Sequence, residues 1–206
     1  MNKNEKIEIL KKYANYKPDI YQALEKLNCK FGIEIGVRVG NNLQNLLKNT
    51  LFSEGILVGL DAWTEDPNSP EINDENFSQH QLDAQYNHCV SKFKNFNHVK
   101  IIKSLSIDGS KLFENEYFDF IYIDAAHDYD SVKNDLNNWW DKLKNGGILS
   151  GHDYFPDKRI WRGKEVGVYK AVNEFAIEKN TEVNHVTDTN LEGGPNVACN
   201  SFFIVK

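Results

Sequence analysis

The 206-residue sequence predicts an α/β fold with a doubly wound, mostly parallel seven-stranded sheet and an antiparallel C-terminal strand. Three observations lead there. Apolar, β-branched runs with little alternation, as in strands covered on both faces, recur between segments of helical periodicity. Polar residues gather just after those runs, where ligands bind in open α/β sheets. The last two apolar runs, Glu182–Thr187 and Val197–Val205, are joined through Gly193-Gly194-Pro195 and read as an antiparallel pair.

The central βαβ unit lies in Phe118–Tyr154. Phe118–Ile123 is a strand; Val132, Leu136, Trp139, Trp140 and Leu143 then recur at helical spacing. Gly146-Gly147 is expected to stop that helix, and Ile148–Ser150 to begin the next strand. Asp124 and His127 follow the first strand, and His152 and Asp153 the second. Adjacent parallel strands would bring these four side chains together.

Upstream, residues 1–30 read as two short helices marked by Ile7 and Leu10, then Ile20, Tyr21, Leu24 and Leu27, with Pro18 near the second start. They are expected to cover a sheet edge or part of the site. Cys29–Ile35 is the first strand and runs into Glu34-Ile-Gly36-Val-Arg-Val-Gly40-Asn-Asn, followed by a helix through Leu43, Leu46 and Leu47. Ile56–Leu60 is the second strand, ended by Asp61-Ala-Trp63. Residues 64–97 interrupt the rhythm with a polar stretch and a helix around His80–Phe93; so long a connection reads as a lid or as a surface excursion. Val99–Ile102 is the third strand and leads to Ser104 and Ser106, with Leu112 and Phe113 on a short helix. Beyond Tyr154, a loop with Arg159, Trp161 and Arg162 precedes a helix marked by Val168, Ala171, Val172 and Phe175.

Composition narrows the class. The length suits a single domain spanning 1–206, and 40% hydrophobic with 12% aromatic residues excludes general disorder. A net charge of −6 with no Lys/Arg cluster argues against a nucleic-acid partner. Cys29, Cys89 and Cys199 form no CxxC, no secretory segment opens the chain and no run reaches membrane-spanning length, so a reduced, cytoplasmic protein is expected.

The strand ending in Glu34-x-Gly36-x-x-x-Gly40 makes a turn where a ligand approaches backbone, with helix N–H donors beyond it. The glycine spacing differs from the dinucleotide pattern G-x-G-x-x-G, which disfavours a nucleotide-dependent oxidoreductase. Asp61 is placed to accept hydrogen bonds from two ribose hydroxyls, and Glu34 favours an ammonium-bearing tail over a pyrophosphate. The plainer alternative makes Gly36 and Gly40 turn residues and Asp61 a cap.

In this order, EIGVRVG, GLDAW, FDFIYIDAAHDYDSV and LKNGGILSGHDY resemble a class I S-adenosylmethionine-dependent methyltransferase, with its Rossmann-like fold, over roughly Phe31–Phe175. The resemblance implies S-adenosylmethionine as cofactor, its methionine part at Glu34, Gly36 and Gly40, its ribose at Asp61 and its adenine near Ser104 and Ser106. Trp63 stands beside that face and is a candidate to stack on adenine or sugar. Asn41 and Asn42 replace the Ser or Thr that the family often carries after the last glycine.

Asp124, His152 and Asp153 offer oxygen and nitrogen ligands suited to Mg²⁺ or Mn²⁺. A metal there would acidify and orient a hydroxyl, and His127, with an imidazole that titrates near neutrality, is the candidate base, with Asp124 also at the catalytic and cofactor corner. Asp-x-x-His followed by a polar pair resembles the metal-dependent sugar O-methyltransferases of macrolide biosynthesis, except that His152 replaces an acid. The same groups also read as helix caps and a structural turn. The expected activity is O-methylation of a hydroxyl on a small molecule or glycan, in a chain compatible with a homo-oligomer. The rival is an inactive methyltransferase-like binding or scaffold module.

Overall fold

The computed structural model describes residues 1–13, 19–65, 77–161, 163–187 and 200–206. Pro18, Arg162, Cys199 and the Gly193–Pro195 connection lie outside them. In chain order the elements are α1 (Lys3–Tyr13), α2 (Ile20–Lys26), β1 (Phe31–Ile35), α3 (Asn41–Leu46), β2 (Ile56–Asp61), α4 (Gln79–Phe93), β3 (Val99–Lys103) and α5 (Ser106–Ser110). They continue with β4 (Phe118–Ile123), α6 (Tyr129–Trp140), β5 (Leu143–Gly151), β6 (Ile160–Trp161), β7 (Lys164–Glu165), α7 (Val168–Glu178), β8 (Asn184–Thr187) and β9 (Asn200–Val205).

The seven-stranded sheet has the order β3-β2-β1-β4-β5-β9-β8. The first five strands are parallel, whereas β9 pairs antiparallel with both β5 and β8. This is the doubly wound α/β architecture expected from the sequence. Order reverses between β1 and β4, so the ends of those strands face the crevice where such sheets bind ligands.

Both faces are covered. Ile7, Leu10, Ile20 and Leu24 of α1 and α2 join Leu43, Leu46, Cys89 and Phe93 over one face, against Phe120, Tyr122, Ile148 and Phe203. The N-terminal helices thus lie over one face of the sheet, with α1 reaching the edge strand β8. On the other face, Val132, Leu136, Trp139 and Trp140 of α6 and Val168, Val172 and Phe175 of α7 meet Ile33, Ile121, Ile123, Leu149 and Ile204. The stripe periodicity of both helices is what the sequence displayed, and Trp139 and Trp140 are buried packing residues.

Two boundaries differ from expectation. Helix α6 ends at Trp140, and Leu143 already belongs to β5, which runs through Gly146-Gly147. The glycines accommodate an irregularity within the strand: Gly146 has φ +74°, and β5 shifts register against β4 between Phe118 and Phe120. Asp119 lies at that shift, accepting from the Lys30 and Phe31 amides and from Lys144 Nζ. Leu112 is exposed and follows α5, which ends at Ser110.

At the centre, Gly36 has φ +90°, and a Cβ placed on it would lie 2.1 Å from the Asp124 carbonyl oxygen. Gly36→Ala should therefore lower the unfolding free energy by roughly 3 kcal/mol or more, combining backbone strain with overpacking. Urea unfolding followed by circular dichroism measures this; an unshifted midpoint would show that the two strand ends do not touch in this way.

Candidate active site

Four turns, at the carboxyl ends of β1, β2, β3 and β4, are knitted by backbone bonds. The Gly36 amide donates to Leu60 O (2.9 Å), Asp124 N to Ile35 O (2.8 Å) and Ser104 N to Asp61 O (2.9 Å). Asp61 Oδ2 accepts from the Arg38 amide at 2.7 Å and Oδ1 from the Trp63 amide at 3.1 Å. Burial pushes the Asp61 carboxyl above its usual range, opposed by those amides and the amides of Ala62 and Val37.

Glu34 is buried, and its Oε1 accepts from Asn42 Nδ2 at 3.1 Å. Gly40 has φ +76° and precedes α3; a Cβ there would lie 2.6 Å from the Phe93 ring and 3.2 Å from Cys89 Sγ. Thus α4 packs directly on the glycine turn. The capping box of Ser78 and Gln81 starts this helix, and Gln79 Nε2 donates to Trp63 O at 3.0 Å. The described part of the 64–97 insertion is thereby docked; the remaining lid expectation falls on 66–76, outside the described residues.

Next to the turn lies the polar cluster. His127 Nε2 is 3.0 Å from Asp153 Oδ2 and 3.9 Å from Asp124 Oδ1, and His152 Nδ1 is 3.4 Å from Asp153 Oδ2. Burial would raise the Asp153 carboxyl, but hydrogen bonds from His127 and His152, with their charge, outweigh it and hold the group well below the usual carboxylate range. One ligand atom each from Asp124, His152 and Asp153 lies within 4.8 Å of the others. Octahedral ligands about 2.1 Å from a cation stand about 3.0 to 4.2 Å apart, so this donor set fits a hard divalent ion after small side-chain movements. The Gly167 amide donates to His127 O at 2.8 Å, tying the end of the β6–β7 hairpin segment to this corner.

A methyltransferase-domain family model matches residues 33–154, from within β1 to just beyond Asp153. The chain belongs to the class I S-adenosylmethionine-dependent methyltransferases. An O-methyltransferase from Bacillus cereus, solved with S-adenosylhomocysteine, superposes with a TM-score of 0.66 at 18% identity, covering 100% of this chain and 93% of that one. The S-adenosylhomocysteine-bound methyltransferase PaMTH1 of Podospora anserina gives 0.59 at 18% identity, covering 90% and 76%. The N-methyltransferase NodS of Bradyrhizobium japonicum gives 0.58 at 13%, covering 90% and 93%. At such identities the likeness speaks for the fold. No curated protein matches the sequence.

Within this methyltransferase, the structure gathers Glu34, Gly36, Gly40, Asp61 and Ser104 around the first three turns, and Asp124, His127, His152 and Asp153 beside them. Two expected cofactor residues are otherwise engaged. The Trp63 indole is buried, with its centroid 5.0 Å from that of Tyr86, and Nε1 donates to Arg38 O at 2.9 Å. It supports the turn from beneath instead of standing open as a stacking platform. Ser106 Oγ donates to Asp135 Oδ1 and accepts from Trp139 Nε1 at 2.8 Å, so its hydroxyl is committed to the α5–α6 contact. Arg159 lies over the Phe155 ring at 3.6 Å, paired with Asp157 at 3.5 Å.

Asp135 escaped the sequence reading, although an acid on the apolar stripe of α6, four residues before Trp139, was the available signal. Burial, partly offset by the Ser106 hydrogen bond and reinforced by Asp128, raises it from 3.8 to about 7. A raised folded-state value makes its contribution complete below 3.8 and lost as pH rises toward 7. Relative to Asp135→Asn, the wild-type unfolding free energy should therefore fall by roughly 2 to 3 kcal/mol between pH 5 and pH 8. Parallel denaturation curves across that window, with no relative change, would show that Asp135 folds as an ordinary ionised carboxylate.

Proposed function

We propose that this methyltransferase transfers the methyl group of S-adenosylmethionine to a hydroxyl of a small molecule or glycan, with His127 as base and a divalent cation held by Asp124, His152 and Asp153. The observation that carries the reading is the convergence of two carboxylates and two imidazoles beside the glycine turn. In this reading Glu34, Gly36 and Gly40 hold the methionine part, Asp61 the ribose and Ser104 the adenine side. Transfer forms a carbon–oxygen bond as the sulfonium–carbon bond breaks; the acceptor proton goes to His127, leaving an ether and neutral S-adenosylhomocysteine. A cation bound at this donor set supplies Lewis-acid polarisation of the hydroxyl. The protein's own share is alignment of the nucleophile and removal of its proton.

A second reading has a specific observation behind it. With Asp153 already bonded to His127 at 3.0 Å, the pair forms a base and its orienting carboxylate without an ion. The departure at His152 from the acid of the sugar O-methyltransferase pattern points the same way.

The two readings separate in one series of assays on candidate hydroxyl acceptors. His127→Ala should lower kcat by about 10²-fold or more while sparing S-adenosylhomocysteine affinity, since general base catalysis contributes about that much. Unchanged turnover removes His127 as base in both readings. EDTA should suppress wild-type turnover and Mg²⁺ or Mn²⁺ restore it; full activity after exhaustive chelation selects the metal-free base pair. Intact cofactor binding with no turnover on any acceptor would instead favour the scaffold module.

A further inference from the structure

The glycine turn is gripped from outside by a residue that the transfer chemistry does not use. Lys92, in the last turn of α4, places Nζ 3.4 Å from Val39 O, 3.2 Å from Gly40 O and 3.1 Å from Asn41 Oδ1. A lysine near a helix C-terminus has a plain role in complementing the helix dipole. Here, however, one ammonium meets acceptors on three consecutive residues of a different element, and an ammonium has three donors to offer. Its neighbours on α4, Cys89 and Phe93, occupy the space that a side chain at position 40 would need. Cys89 is itself inert: burial, with Glu34 adding to it and Lys92 opposing, pushes its thiol up to about 12.

We infer that Lys92 is a positioning residue for the amino-acid end of the cofactor, fixing the Val39–Asn41 half of the glycine turn from the insertion helix. The inference rests on the reading that this turn holds the methionine moiety. Charge-assisted bonds to the two carbonyls hold the peptides of Val39 and Gly40 in one orientation. The third bond fixes the Asn41 amide by its oxygen and leaves the NH₂ as donor, at the position where the family often carries a hydroxyl. The ribose end is held separately, by the Asp61 carboxylate on the Arg38 and Trp63 amides. Loss of Lys92 should therefore be felt by ligands that carry the amino-acid tail and not by those that lack it.

Calorimetry on the full chain tests this with two ligands, S-adenosylhomocysteine and 5′-methylthioadenosine, which shares the nucleoside but has no carboxylate or ammonium. Lys92→Met keeps the aliphatic stem and should weaken S-adenosylhomocysteine about tenfold, leaving 5′-methylthioadenosine within about twofold. Lys92→Arg should recover most of the loss. Equal weakening of both ligands would reduce Lys92 to a general structural role, and no weakening of either would remove it altogether; each overturns the inference. If Lys92→Met does not fold, Asn41→Ala takes its place, with about a threefold loss expected for S-adenosylhomocysteine alone and overturning outcomes of the same form. A wild-type chain that binds 5′-methylthioadenosine as tightly as S-adenosylhomocysteine would instead sink the assignment of the glycine turn to the methionine tail, and the inference with it.

Discussion

The absence of a side chain at Gly36 lets the peptide after β4 lie against the turn after β1, with the Asp124 carbonyl in the space a Cβ would fill. That contact sets the two turns against one another. The turn proposed to face the cofactor and the corner that carries Asp124 and His127 are tied a second time, because the Asp124 amide donates to Ile35 O. Displacement at carbon demands alignment of nucleophile, carbon and leaving sulfur within a fraction of an ångström. A fixed distance between the two turns serves that alignment.

Electrostatics follows from the same geometry. Glu34, Asp61, Asp124 and Asp153 converge at one end of the sheet, and the carboxyl of Asp61 already feels the penalty of burial. Such a crevice suits S-adenosylmethionine, which brings a sulfonium and an ammonium. Transfer of the methyl group removes the sulfonium charge, so the product meets the same carboxylates with one positive charge fewer. On the proposed placement of the cofactor, the field of these carboxylates favours the charged substrate over the product.

The arrangement of the strands was legible because β1, β2 and β4 are largely apolar runs, with a polar candidate at the end of two of them, as Asp61 follows Leu60 and Asp124 follows Ile123. Boundaries were harder where glycine plays two roles. Gly146-Gly147 has the composition of a helix stop, yet serves an irregular strand whose partner is shifted at Phe118 and Phe120. The family resemblance sets Ser106 near adenine, and Trp63 stands beside the expected ligand face. Which way a side chain turns from such a position depends on partners distant in sequence: Asp135 and Trp139 for one, Tyr86 and the Arg38 carbonyl for the other. Asp135, silent as a member of an apolar stripe, and Lys92, silent as a surface-type residue at the end of a helix, gain meaning only from those pairings.

Backbone strain marks the same places. Arg38, Trp63 and Asp153 have φ of 53°, 39° and 57°, and each sits in a different turn of the site. A non-glycine residue in this region costs about 1 to 3 kcal/mol, so the three together oppose folding by several kcal/mol. The opposing term is visible around them. Trp63 is buried against Tyr86 with its indole N–H satisfied, and Phe93, Leu43, Tyr154 and Phe202 are buried beneath the same rim, at about 1.5 to 3 kcal/mol for each large apolar side chain. The sheet and its two apolar layers hold these turns in a shape that an isolated chain would abandon. That shape aims the Arg38 and Trp63 amides at Asp61 and brings Asp153 to His127.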